Sequence, residues 1–231
     1  MKKTISGLLI MSLLFTSVFC HGLTACAAEI DFANAEPIKP DATYAVQVEG
    51  NGDYLLASFT APEDGYYLFE ALGQKYKNLF SKNYYYEPVI TLYDSDKNEL
   101  QYAEFDDYDP TLSDNAPYAK IVQKLKKDEI CYFKTNLLNP NASGKYLIRA
   151  MKAPDFVFTY TSHDEGYGYY DLYSYNGASK DLIIKNKYNV SEKESLFISP
   201  YRNIPLQCIG LNSFEGNEHL ESLTISDGIS Y

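Results

Sequence analysis

Apolar and polar residues alternate in short stretches through the middle of the chain, from residue 43 to residue 151. A period of two places successive side chains on opposite faces of a β-strand, whereas a helix repeats its apolar positions about every 3.6 residues. No long stretch in this part of the chain follows the helical period. The pattern predicts strands at Tyr44–Val48, Tyr54–Thr60, Tyr66–Leu72, Val89–Tyr93, Glu99–Phe105, Lys120–Leu125, Ile130–Thr135 and Lys145–Ala150.

Segments rich in glycine, proline, asparagine and aspartate separate these strands, for example at residues 49–53, 62–65 and 139–144. Many short strands joined by such turns are typical of a β-sandwich or jelly roll. The alternation also assigns the two faces, and Lys145 and Arg149 are expected to point away from the core. The side chains expected in the core are Tyr67, Phe69, Ala71, Cys131, Phe133, Tyr146, Ile148 and Ala150.

The order and spacing of several short motifs add a family resemblance. They are Tyr54–Thr60 leading to Asp64–Phe69, then Val89–Asp96, Leu125–Phe133 and Gly144–Ile148. Together they resemble the bacterial pre-peptidase C-terminal domain family, with Asp128 where that family usually has glycine. The resemblance implies a jelly-roll β-sandwich over residues 36–152, which acts as an accessory module of exported proteins and carries no catalytic residue.

A different pattern begins after Pro154, and residues 155–231 form a second predicted domain. Tyr169–Tyr175 and Asp181–Lys185 predict two strands, and the Asn176-Gly177 pair between them favours a hairpin turn. Further on, aliphatic and aromatic residues are spaced like one turn of a solenoid. These residues are Ile204, Leu206, Ile209, Gly210, Phe214, Leu220, Leu223, Ile225 and Ile229.

The Ile209-Gly210 pair, Ser213-Phe214 and the Leu220-x-x-Leu223-x-Ile225 strand resemble the BspA-type leucine-rich repeat family. The resemblance implies a short β-solenoid, with residues 156–187 as its lead-in hairpin. One coil cannot bury its own apolar face, and about three coils are normally needed. The fold class predicted for the whole chain is therefore all-β, a jelly-roll sandwich followed by a leucine-rich-repeat segment. An incomplete array is the favoured interpretation of this segment, and a coil capped by its lead-in hairpin is the alternative.

The N-terminal residues 1–27 have the pattern of a secretory signal, since Lys2 and Lys3 precede an apolar run from Ile5 to Phe19. That run is shorter than the ~20 residues of a membrane span. Two processing sites stay open. Cleavage after Ala27 would release the protein, whereas residues 23–26 resemble a bacterial lipobox in which Cys26 becomes the lipidated first residue.

Charge and cysteine content exclude some classes of function. The formal net charge is −11, and the arginines are Arg149 and Arg202, which argues against nucleic acid and against anionic lipid headgroups as ligands. Four cysteines are encoded, of which Cys20 is lost with the signal. Cys131 and Cys208 lie in different predicted domains, so we expect no disulfide framework.

A search for catalytic groups finds no convergent set. Besides the histidine of the signal, the chain has His163 and His219, and neither lies in a His-Glu-x-x-His pair. No Gly-x-Ser-x-Gly elbow is present. Cys131 lies in the middle of a predicted strand, where a thiol is normally inert. The sequence therefore predicts a protein that is not an enzyme and needs no cofactor.

Two groups of residues are candidates for ligand binding. Asp94, Asp96 and Asn98 have the alternate oxygen ligands of a calcium loop, although Glu99 and Phe105 stand where an EF-hand needs glycine and glutamate. The competing interpretation of this segment is a plain hairpin turn. Tyr84, Tyr85 and Tyr86 lie in a predicted loop, where tyrosine rings either stack on a ligand or cover a sheet edge.

The sequence as a whole predicts an exported bacterial protein, secreted or on the cell surface, that binds an extracellular protein or matrix component through its leucine-rich-repeat surface. Its only membrane contact would be the lipid anchor at Cys26. A carbohydrate-binding module and an accessory domain of a secreted peptidase are the alternatives. An unrecognised hydrolase would need clustered carboxylates or His163 in a deep cleft.

Overall fold

The computed structural model describes residues 30–77, 83–104, 118–162, 168–188 and 204–229. The chain divides into two compact units, Met1–Ala33 and Asn34–Tyr231. The first unit is described only from residue 30, and a 3-10 turn at Phe32–Asn34 ends in the first residue of the second unit. The signal at residues 1–27 and the lipidation candidate Cys26 lie outside the described residues. Within them, no helix is long and apolar enough to cross a bilayer.

The first part of the second unit is a β-sandwich of two sheets. Sheet A has the strand order β1-β3-β10-β7-β8, sheet B the order β2-β11-β4-β9, and β5 and β6 form a separate ribbon. The bounds are β1 Glu36–Ile38, β2 Thr43–Val48, β3 Leu55–Thr60, β4 Gly65–Gly73, β5 Lys75–Lys77, β6 Asn83–Tyr85, β7 Pro88–Tyr93, β8 Glu99–Ala103, β9 Tyr118–Leu125, β10 Ile130–Leu137 and β11 Gly144–Lys152.

The core of the sandwich lies between the two sheets and contains every side chain that the alternation assigned to it. Phe69 of sheet B is in ring contact with Phe59 and Phe133 of sheet A, each at a centroid distance of 5.4 Å. The Tyr146 hydroxyl reaches across the same core and donates to the Thr135 carbonyl at 2.9 Å. Burial of these large rings supplies most of the driving force for joining the sheets.

The predicted strands of this part are all present, shifted by one or two residues at their ends, except that Phe105 lies outside the described residues. Asp128 adopts a φ of +65°, a left-handed conformation that glycine tolerates best. This conformation explains why glycine is the usual residue at that position in the family that the motifs resemble. The alternation did not predict β1, β5 and β6, since strands of three residues are too short to show a period.

The second part of the unit contains β12 Phe156–Ser162, β13 Gly168–Tyr175, β14 Asp181–Ile184, β15 Lys187–Tyr188, β16 Ile204–Ile209 and β17 Ser222–Ile225. Sheet C has the order β12-β13-β16-β15, and sheet D consists of β14 and β17. The pairs β13–β16 and β14–β17 are both parallel.

The predicted hairpin between residues 169–175 and 181–185 is wrong. β13 pairs with β12 and β16, whereas β14 pairs with β17. Asn176 does not form a tight turn, because its backbone N–H donates to the Asp155 carbonyl at 2.7 Å and its side-chain amide donates to the Pro154 carbonyl at 3.0 Å. These bonds fix a corner at which the chain leaves sheet C and enters sheet D.

A second apolar cluster lies between sheets C and D. Its buried members are Phe158, Tyr170, Leu172, Tyr175, Leu182, Ile184, Leu206 and Ile229. Four residues of the repeat-like pattern, Ile209, Phe214, Leu220 and Ile225, are half-buried and pack against this cluster. Leu223 lies beside the buried Leu182 on the neighbouring strand and is 39% exposed.

Sheet B connects the two parts, because strands β12 and β13 cover its outer face. Leu68 and Met151 on that face form a small apolar cluster with Val157, with Tyr173 packed against it. Next to this cluster, Arg149, Glu70 and Lys120 lie side by side on neighbouring strands. The prediction that Arg149 points away from the sandwich core is confirmed, but its side chain is covered rather than exposed.

Buried charges fix this junction. Arg149 donates to the Glu70 carboxylate at 3.0 Å, and the side chains are only 9% and 1% exposed. Lys120 donates from Nζ to the Phe158 carbonyl of β12 at 3.2 Å and lies 4.8 Å from the centre of the Tyr173 ring. A charge taken out of water must keep such partners, so sheet B holds β12 and β13 in one position.

Candidate binding surfaces

A cleft of about 600 Å³ opens where the edge of sheet B meets the turn after β16. One wall is formed by residues of β8 and β9, and the other by residues 211–216, with Tyr66 and β13 between them. We call it the junction cleft, and its lining residues are Tyr66, Leu100, Gln101, Val122, Gln123, Lys124, Tyr173, Ser174, Leu211, Asn212, Glu215 and Gly216. This volume is in the range of clefts that bind small molecules, roughly 300–1,000 Å³.

Strand β9, which forms part of one wall of the cleft, is an edge strand of sheet B. Three of its carbonyls, those of Lys120, Val122 and Lys124, accept hydrogen bonds from side chains. The Tyr173 hydroxyl donates to the Lys120 carbonyl at 3.5 Å, Gln101 Nε2 to the Val122 carbonyl at 3.4 Å, and Gln123 Nε2 to the Lys124 carbonyl at 3.1 Å. These side chains protect the edge from pairing with another strand.

The two glutamines of this wall also hold each other, since Gln101 Nε2 lies 3.1 Å from Gln123 Oε1. Each amide carries two N–H donors and a carbonyl oxygen with two lone pairs, so both retain capacity for further hydrogen bonds. The contact fixes the orientation of the amides before any ligand arrives. A ligand in the cleft would therefore meet donors and acceptors that are already ordered.

The floor of the cleft is closed by contacts between the two parts of the unit. The Tyr66 hydroxyl donates to the Gly216 carbonyl at 2.5 Å, and Lys124 donates to Glu218 at 2.9 Å. The hydrogen bond from Lys124 lowers the pKa of the Glu218 carboxyl, and the same bond raises the pKa of Lys124. The ammonium of Lys124 is thus already paired with a carboxylate.

The opposite wall combines polar and apolar groups. Asn212 adopts a φ of +65°, which places its amide at the corner of the turn. Glu215 is exposed beside it, and Leu211 is 97% exposed at the rim. Across the cleft Leu100 is also an exposed aliphatic side chain. The cleft therefore has polar walls and an aliphatic rim on each side.

A second surface is the solvent-facing side of sheet D, which we call the outer ladder: Asp181 and Ile183 of β14 with Ser222 and Thr224 of β17. Ile183 is 62% exposed. The Ser222 hydroxyl donates to the Asp181 carboxylate at 2.5 Å, which holds the two strands in register on this side. The outer ladder thus presents an ordered row of small polar groups around one aliphatic side chain.

The corner between β16 and β17 explains the spacing of the repeat-like motif. The Gly210 N–H donates to the Leu172 carbonyl at 2.9 Å, and a Cβ at Gly210 would lie only 2.9 Å from that oxygen. The buried Ser213 hydroxyl lies 2.7 Å from the same carbonyl. Asn217 donates its side-chain amide to the Gly177 carbonyl at 2.9 Å. Each of these residues therefore connects the segment between β16 and β17 to β13 or to the corner that follows it.

Of the three candidate tyrosines, Tyr84 and Tyr85 lie in β6, and their side chains are outside the described residues. The half-buried Tyr86 ring covers Gly144, where a Cβ would lie 2.3 Å from the ring. A small cavity of about 260 Å³ borders Tyr86 and includes Gln47, Glu49 and Lys145. The structure thus places Tyr86 over the end of the sandwich, and its role in ligand binding stays a prediction.

The calcium candidates Asp94, Asp96 and Asn98 lie in the turn between β7 and β8. The Asn98 backbone N–H and its side-chain amide donate to the two oxygens of Asp94 at 2.8 Å and 3.0 Å. These hydrogen bonds lower the pKa of Asp94, first through the Asn98 side chain. Within the described residues, no group of three or more His, Cys, Asp or Glu side chains is placed to hold a metal ion.

Of the candidate catalytic groups, His219 and Cys131 lie within the described residues. His163 is outside the described residues, and His219 is exposed on the turn before β17. Burial raises the pKa of the Cys131 thiol to about 12, so it stays protonated at neutral pH. Cys208 is half-buried on β16. The residues of the junction cleft could not be predicted from the sequence, because they come from distant segments and carry no motif. The apolar residues Leu68 and Met151, on the outward face of their strands, were a signal that another element covers this face.

No protein-family model matches the chain, and no curated protein does. Among solved structures, the pre-peptidase C-terminal domain of collagenase from Bacillus anthracis is 14% identical, covers 50% of this chain and 93% of its own, and has a TM-score of 0.35. A β-glucosidase from Kluyveromyces marxianus is 16% identical over 44% of this chain and 11% of its own, with a TM-score of 0.30.

A 4-O-methyl-α-glucuronidase with specificity for decorated arabinogalactans is 10% identical, covers 51% of this chain and 18% of its own, and has a TM-score of 0.34. The match thus spans only a small part of each of the two glycosidases. Matches at these identities and TM-scores do not indicate a function, so a function can be inferred only from the residues of this chain.

Proposed function

We propose that this chain is a non-catalytic, exported binding protein whose C-terminal strands are successive coils of a leucine-rich-repeat solenoid. The observation that carries the proposal is that two successive strands, β13 and β14, pair in parallel with two later successive strands, β16 and β17. A solenoid coil repeats its strands in the same direction, so each strand of one coil pairs in parallel with its equivalent in the next. β13 and β14 form one coil, and β16 and β17 the next.

The contacts between the coils support this interpretation. Leu182 lies opposite Leu223 and Ile184 opposite Ile225, so that aliphatic side chains stack from coil to coil. The corners stack as well, through Gly210 and Ser213 on the Leu172 carbonyl. These are the positions at which the chain resembles the BspA-type repeat family. The sandwich, with its resemblance to the pre-peptidase C-terminal family, would act as a jelly-roll module that covers the first coil.

A stack of coils makes a surface rather than a reaction centre, and the solvent-facing side of its strands is a natural place for a partner. The outer ladder carries Ile183, a large aliphatic side chain more than half exposed in a row of ordered polar groups. Protein interfaces have an apolar centre surrounded by a polar rim, and Ile183 with its polar neighbours has this arrangement on a small scale. We therefore assign the outer ladder as the contact for an extracellular protein or matrix component.

Replacing Ile183 with aspartate tests this assignment. We expect Ile183→Asp to weaken binding to an extracellular matrix protein by at least about tenfold, because a charge would replace the apolar centre of the contact. The measurement is surface plasmon resonance of the full chain over immobilised collagen, fibronectin and laminin. Thermal unfolding of the variant should match that of the wild type, since the side chain faces solvent.

The matched control is Ile130→Asp, which places the same change at an exposed isoleucine of the sandwich. It should bind as the wild type does. Equal binding by Ile183→Asp and the wild type, or no binding of the wild type to any of the three matrix proteins, would refute the proposed function.

A further inference from the structure

We propose that the junction cleft is a binding site for a short neutral oligosaccharide. The cleft is separate from the outer ladder, and it adds a second ligand class to the proposed function. Three features of the cleft indicate its ligand: the hydrogen-bonding groups of its walls, the occupied carbonyls of β9 and the charges around it.

The hydrogen-bonding groups of the walls match those of sugar hydroxyls. Gln101 and Gln123 on one wall and Asn212 on the other bring amide groups to one cavity. Gln101 Nε2 already donates to Gln123 Oε1 and to the Val122 carbonyl, so Gln101 offers its carbonyl oxygen, whereas Gln123 keeps a second N–H. A sugar hydroxyl both donates and accepts, so it can bond to either group. Because Gln101 and Gln123 already bond to each other and to the β9 backbone, little rotational freedom would be lost on binding.

The capped edge of β9 disfavours an extended peptide. A peptide that adds to a sheet needs the backbone groups of the edge strand. Along β9, the carbonyls of Lys120, Val122 and Lys124 already accept hydrogen bonds from side chains. This favours a ligand that binds through the side chains of the walls, as a sugar does.

The charges around the cleft disfavour an anion. The ammonium of Lys124 is paired with Glu218 at 2.9 Å, and Glu215 adds an exposed carboxylate to the lining. The formal net charge of the chain is −11. An uncharged ligand avoids this repulsion, and the exposed aliphatic side chains Leu100 and Leu211 at the rim can contact the C–H faces of sugar rings.

The test uses the full chain on an array of neutral oligosaccharides, followed by titration calorimetry with the glycan that binds best. Gln101→Ala and Asn212→Gly remove one amide from each wall. Glycine suits the left-handed φ of residue 212, so the second variant should fold without backbone strain. Each variant should raise the Kd about tenfold, the effect of losing one or two hydrogen bonds.

Gln47→Ala is the matched control, because Gln47 is an exposed glutamine on sheet B whose amide bonds to Glu49 outside the cleft. It should bind the glycan with the wild-type Kd. The proposal is overturned if no neutral oligosaccharide on the array binds, or if both cleft variants keep the wild-type affinity. It is also overturned if only Gln47→Ala loses binding, or if a peptide library binds in place of the glycans and the cleft variants abolish that binding.

Discussion

Replacement of Glu70 by alanine is expected to lower the free energy of unfolding by about 3–5 kcal/mol. The change removes the carboxylate that pairs with Arg149 at 3.0 Å, where both side chains are buried. An uncompensated guanidinium would then remain between sheet B and the strands that cover it, and breaking a buried pair on one side costs about this much. Urea denaturation followed by circular dichroism measures the change.

Glu63→Ala provides the control. Glu63 pairs with Lys152 at the end of the same sheet, but both side chains are more than half exposed. An exposed pair contributes about 0–1 kcal/mol, so this variant should unfold close to the wild type. A loss below about 1 kcal/mol for Glu70→Ala would show that water reaches Arg149 and that the junction is looser than its contacts indicate.

The sandwich could be predicted from the sequence because each strand follows its own alternation. Phe69, Phe133 and Tyr146 lie in the core, as their alternate positions (their parity) along each strand require. The position of Arg149 shows the limit of this reasoning. Parity gives the face on which a side chain lies, but only a contact far along the chain decides whether that face meets water. Here Val157 and Tyr173 cover it.

The C-terminal strands show how long-range pairing overrides a local signal. Asn176-Gly177 favours a hairpin turn by its own conformational preference. In the structure, Asn176 bonds to the carbonyls of Pro154 and Asp155 and forms a corner instead. The stacking of Leu182 on Leu223 depends on residues about forty positions apart in the printed sequence. A local pattern can predict that both segments are strands, but not that they pair in parallel.

The candidate site could not be predicted from the sequence for the same reason. The junction cleft joins residues of β4, β8, β9 and β13 to the turn after β16. Glutamine and asparagine at exposed positions look ordinary in a sequence. They become a candidate site only because sheet B is held against β12 and β13 by Lys120, which contacts Phe158 and Tyr173. The buried charge of Lys120 at the junction therefore positions the cleft as well as stabilising the fold.

The stability of the protein is expected to fall steeply between pH 9 and pH 12, and the buried Cys131 thiol is one cause. Burial raises its pKa from 9.0 to about 12, with a smaller contribution from Glu129. In this interval the unfolded chain has lost the thiol proton and the folded chain keeps it. The free energy of unfolding therefore decreases as pH rises, by roughly 4 kcal/mol in total for this group.

Comparison with Cys131→Ala isolates this contribution. The variant starts from a lower stability because a buried side chain is shortened. Between pH 9 and pH 12, however, its free energy of unfolding should fall by roughly 4 kcal/mol less than that of the wild type. Burial also raises the pKa of Tyr146, and this effect is common to both proteins and cancels. Urea denaturation at several pH values in the presence of a reductant gives the two slopes. Parallel slopes for the wild type and Cys131→Ala would mean that the thiol ionises without unfolding.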